Sequence, residues 1–153
     1  MFKFIFKTIR LALLTMLGTA IVAKFMLKSN AKEETQEIDL VTIFGGENLV
    51  SSADPFYGGK ILTMYGGTVL DLRKATPAPT GIYIDVLVWM GGVNLVVPKG
   101  WRVDFTGKVI FGGFDDATQT TADPDAPMVR IGGMILFGGL QATTKSPLEV
   151  VGR

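Results

Sequence analysis

The residues able to do chemistry are few and mostly of one kind. The 153-residue chain has no His and no Cys. That removes imidazole bases, thiol nucleophiles, Ser-His-Asp triads, disulfides and nearly every zinc site. Carboxylates remain. Asp71, Asp85 and Asp104 lie in β-type runs of neighbouring sequence units. Stacking could align them as polysaccharide-cleaving enzymes align their acid pairs. With Asp39 they also read as a solvated row that keeps exposed strands from pairing wrongly. Asp115, Asp116, Asp123 and Asp125 belong to a polar loop, DDATQTTADPDAP. Such a set can hold Ca²⁺, but the glycine-rich nonapeptide of calcium-binding β-rolls is missing. No phosphate-binding glycine loop precedes a helix. Lys plus Arg is 15 against 14 for Asp plus Glu, which offers no electrostatic footprint for nucleic acid. The expectation is a protein without catalytic residues, cofactor, metal or small-molecule substrate.

The elements that would position these carboxylates are β-strands set by glycine. Gly is 19 of 153 residues, and 14 of the 19 form seven Gly-Gly pairs. Five pairs follow a large apolar residue that closes a β-type run: Phe44, Tyr65, Met90, Phe111 and Phe137. These pairs begin 21, 25, 21 and 26 residues apart, a period typical of stacked-coil arrays. After three of them Leu49, Leu70 and Leu95 stand in the same place, three positions beyond the pair. Glycine can turn a corner at positive φ without a Cβ penalty and lets stacked backbones approach. The pattern predicts an all-β body, a short right-handed parallel β-helix; Gly-Gly hairpins in an antiparallel sandwich are the competing reading.

Alternation divides each run into two faces. Counted back from the Gly-Gly pairs, the odd positions (Phe44, Thr42, Leu40; Tyr65, Thr63, Ile61; Met90, Val88, Val86, Ile84; Phe111, Val109) form the expected core. The even positions carry Asp39, Asp85, Asp104 and Lys108, and so face solvent. Yet Leu62, Met64, Leu87, Trp89 and Ile110 are also even. Monomers rarely expose a stripe of that width without a use; either the chain's own loops or the segment SPLEVV cover it, or these five residues are the candidate contacts for a protein partner, a second copy or the membrane surface. Trp101, beside Gly100, is expected to pack.

The amino-terminal fifth differs in charge. Residues 1–32 carry six cations and no acid, leaving nine basic and fourteen acidic residues in 33–153. The uncharged apolar run 11–23 has 13 residues, where a transmembrane helix needs about 20. Lys3, Lys7, Arg10, Lys24 and Lys28 fall near one helical face, and Arg10 and Lys24 are expected to snorkel to opposite interfaces and let residues 1–28 act as a single-pass membrane anchor. A cleaved signal peptide and an interfacial amphipathic helix are the alternatives. Residues 29–37 form a polar linker and 38–153 the β domain.

The stretches TIFGG, MYGGTVLDLRKATP and IYIDVLVWMGGVNLVVPKGWRVDFTGKVIFGGFDD resemble the C-terminal domain of the cell wall-active antibiotics response, or LiaF-like, proteins. The resemblance covers roughly residues 41–116 and rests on the ordered set that includes Leu70-Asp71-Leu72-Arg73, Val97-Pro98, Gly100-Trp101 and Phe111-Gly112-Gly113. It implies a short β-helix attached to membrane helices that modulates an envelope-stress histidine kinase. The expected role is therefore a bacterial membrane-anchored interaction domain; a bactofilin-like self-assembling scaffold is the alternative.

Overall fold

A strand that carries Gly-Gly in its middle is free to bend there, and this property organises the molecule. The structure is a computed structural model that describes residues 2–26, 32–118 and 123–145. One helix, α1 (Phe2–Met26), precedes six strands: β1 (Glu37–Val50), β2 (Gly58–Asp71), β3 (Ile82–Val96), β4 (Arg102–Phe105), β5 (Lys108–Asp116) and β6 (Met128–Thr143). All strand pairings are parallel and build one sheet. The order is β1-β2-β3-β6, with β4 and β5 both paired to the far edge of β6.

The bend is visible in the threonines. The Thr63 and Thr68 hydroxyls are 2.7 Å apart, although five residues of straight strand would span about 17 Å. The chain therefore turns a corner at Tyr65-Gly66-Gly67, and both arms of β2 face one interior. Gly66 has φ +141, and a Cβ there would collide with the carbonyl oxygen of Gly45 in the adjacent strand; a Cβ on Gly91 would meet Gly66 in the same way. Only glycine permits this stacking of corners.

Inside the corners, in-register columns fill the core. Leu49, Leu70, Leu95 and Ala142 form one buried column, and Leu40, Ile61 and Val86 another. Each large aliphatic contributes about 1.5–3 kcal/mol by leaving water. Trp101 packs into the same core. The buried threonines satisfy one another, since Thr68 also bonds Thr42 at 2.8 Å.

The expected fold, a right-handed β-helix of successive units behind a membrane-spanning helix, is corrected on two counts. First, sequence neighbours do not all stack: β6 inserts between β3 and β5. The polar loop after β5 carries the chain back by one strand. Second, among the described residues no helix is long and apolar enough to cross a membrane. The 25-residue α1 contains Lys3, Lys7, Arg10 and Lys24, and these leave too short an uncharged stretch for the bilayer core. The single-pass membrane localisation is therefore not supported. Lys3, Lys7 and Arg10 share one side of α1 with Phe2 and Phe6. Lys28 and the Lys24 side chain lie outside the described residues.

Candidate interaction face

The outer face of the sheet is assembled by register. Val41, Leu62, Leu87, Met134 and Lys108 align across the strands. Closer to the corner comes a second row, Ile43, Met64, Trp89, Leu136 and Ile110, which the ladder of paired residues steps over. At the corner stands a third, Phe44, Tyr65, Met90, Phe137 and Phe111. The rings of Phe44 and Tyr65 stack at 5.2 Å, and those of Phe111 and Phe137 at 5.1 Å.

Of the five contact residues proposed from sequence, Leu87, Trp89 and Ile110 are exposed, by 43%, 44% and 54%. Leu62 and Met64 are half-buried between their neighbours. Register brings all five onto two adjacent rows. Alternation misassigns the corner row. Phe44, Met90, Phe111 and Phe137 are exposed rather than in the core. The reason is the bend: both Thr42 and Ile43 are buried, and both Trp89 and Met90 are exposed, so the alternation slips by one where the strand turns. The missed signal was present, because a large residue directly before every corner glycine cannot follow a straight-strand parity.

The carboxylates do not assemble into an acid pair. Asp85 lies between Lys60 and Gly132, Asp104 beside Arg130, and Asp71 between Val50 and Val96. Asp39 aligns with Lys60, so Asp39, Lys60 and Asp85 make a row of alternating sign that is favourable across strands. Asp71 is no part of a solvated row. It is buried and ion-paired to Arg73 at 2.7 Å, with the Arg73 backbone N–H donating to its Oδ1 at 3.0 Å. Burial pushes this carboxyl up, but the side-chain and backbone hydrogen bonds from Arg73, with the charges of Arg73 and Lys74, outweigh it and hold the carboxyl below its ordinary value.

The acidic loop is tied to itself and to its neighbour. Asp116 accepts from the Thr118 N–H and hydroxyl, Asp123 from the Asp125 N–H, and Asp115 from Gln141 at 3.1 Å. Among the described residues no group of three metal-ligating side chains comes together.

No family model matches the chain, and no solved structure matches it. Two curated proteins of Mycobacterium tuberculosis, both described as uncharacterized, are 33% and 32% identical to it over 87 residues. The match takes in 56% of this chain and 44% of each relative, so the chain spans under half the length of these relatives.

Proposed function

We propose that the protein is a non-catalytic interaction module whose outer face docks a protein partner. Its strand stack, bent at each glycine corner, supports reading the body as a short solenoid of the β-helical kind. The LiaF-like resemblance of residues 41–116 favours a role in bacterial envelope stress or envelope organisation. The observation that carries the reading is the three-row apolar face, with Leu87, Trp89, Met90, Phe111 and Phe137 each more than two-fifths exposed. Taking about 200 Å² for a large apolar side chain, the exposed members leave on the order of 700 Å² uncovered, close to the ~800 Å² per partner of a standard interface. Monomers seldom display so much in one patch.

The test is capture of binding proteins from the source cells with the full chain and with a Leu87→Asp, Trp89→Asp double variant. Both side chains point out of the sheet, so the fold survives, as thermal unfolding will verify. Loss of a specifically captured protein is the expected result; an identical captured set would overturn the reading.

A further inference from the structure

The two ends of the sheet are finished differently. At β1 the inward side chains are covered: Ile38, Leu40 and Leu49 are all at most 8% exposed. At the other end Val103, Phe105, Val109 and Phe114 face the core but are only partly buried. Phe105 stacks on Phe114 at 4.9 Å, which plugs the opening incompletely. Phe111 of β5 is 61% exposed, the most of any large apolar side chain in the strands. Among the described residues no strand pairs with the outer edge of β5, and an open strand edge is a template for another strand.

We infer that this edge is the interface for a second copy of the chain, with the two β5 strands paired antiparallel about a two-fold axis through the Phe111-Gly112 corner. A bent strand accepts a second bent strand only where the corners coincide. Two arrangements meet that condition. In the parallel one, β1 of the next copy lies on β5 with Phe44 over Phe111. That sets Glu37 against Asp104 and the Leu49 of the core column against Asp116. The antiparallel arrangement avoids the Glu37–Asp104 and Leu49–Asp116 contacts, and it sets Asp116 against Gly107, which has no side chain to cover the carboxylate. Centred between Phe111 and Gly112, it lays the arm before the corner over the partner's arm after it. Lys108 then faces Asp115, both outward; Val109 faces Phe114, both inward; and Phe105 faces the buried Thr118. The two-fold repeats every pair. A shift of one residue would oppose inward Val109 to outward Asp115, so the pleat fixes the register. Opposite charges and an apolar pair face each other across the strands, and the half-open core ends cover one another. The isologous β5 contact is used up once two copies have met, so association through this edge closes at two copies.

The inference shares the Phe111 corner with the partner-docking face, and the test keeps the two apart. Light scattering and sedimentation of the full chain at low salt should give twice the 16.5 kDa chain mass. Lys108→Asp turns two attractive pairs repulsive and should raise the dimer dissociation constant by about tenfold or more. Asp115→Lys should do the same, and the double exchange Lys108→Asp with Asp115→Lys should restore the dimer. Circular dichroism verifies that each variant is folded. The Leu87→Asp, Trp89→Asp variant should keep the dimer mass whatever it does to partner capture. A monomer at all concentrations, masses that grow beyond the dimer, a dimer indifferent to Lys108→Asp, or failure of the double exchange to rescue would each overturn the inference.

Discussion

Strand β3 carries two apolar faces with opposite fates. Ile84, Val86 and Val88 are at most 1% exposed, whereas Tyr83, Leu87 and Trp89 are 56%, 43% and 44% exposed. The outward set also carries Asp85, yet Leu87 and Trp89 are as large and apolar as the residues that are buried. Apolar character alone therefore does not decide burial here; the pleat does, by pointing alternate side chains to opposite sides. The inward set is used up in folding. The outward set is left over, and its persistence along several strands is the basis of the proposed docking face.

Substitutions that test this contrast separate widely in size. Val86→Asp places a carboxylate between Ile61 and Val88 in the closed interior, and the expected outcome is loss of cooperative unfolding, a cost above about 4 kcal/mol. Leu95→Ala, in the central leucine column, should cost about 2–5 kcal/mol in denaturant unfolding. Gly91→Ala meets the Gly66 backbone at φ +142, so it should destabilise by roughly 1–3 kcal/mol. Restoration of stability by that alanine would refute the corner geometry.

Asp71→Asn should cost about 1 kcal/mol near neutral pH, with a telling pH dependence. The folded carboxyl is held below its ordinary value. Its stabilisation is therefore complete above about pH 4, where the unfolded group titrates, and fades as pH falls through the lower folded value. The gap between the native chain and Asp71→Asn should close on acidification below about pH 4; a gap that widened would refute the ion pair. The smallest effect belongs to the outward face: Leu87→Asp with Trp89→Asp should shift stability by no more than about 0.5 kcal/mol per site. A large loss would show that these side chains are packed rather than displayed.

Much of this was legible because it depends on local rules. Gly-Gly marks corners after the closed β-runs, and at Gly66, Gly91, Gly112 and Gly138 φ near +140 and backbone approach admit nothing larger. The equal spacing of Leu49, Leu70 and Leu95 from their corners announced a column. Leu87, Trp89 and Ile110 were recognisable as outward from parity with Asp85 and Lys108. The corner row was misread because parity assumes a straight strand, and Phe44, Met90, Phe111 and Phe137 sit where it turns. Asp71 was misread because Arg73 lies two residues away across a turn, and alternation says nothing about a side chain folding back on its own segment.

The sequence by itself determined the β character, the corners, the columns and the absence of imidazole and thiol chemistry, because each follows from residue type and short-range spacing. Only the tertiary structure decided the order of the strands. The units are similar in length and all carry a corner glycine, so any two can pair in register, and nothing local states which neighbours meet. What decides is completeness of the inner columns. Strand β6 offers Ile131, Ile135, Leu140 and Ala142, all fully or nearly fully buried, and fills a middle position with neighbours on both sides. In the same columns β5 offers Asp116 where β6 has Ala142 and β3 has Leu95. A carboxylate in that place is tolerated only at an end where water reaches it, so the chain passes over one level, lays down β5, and returns to place β6 inside.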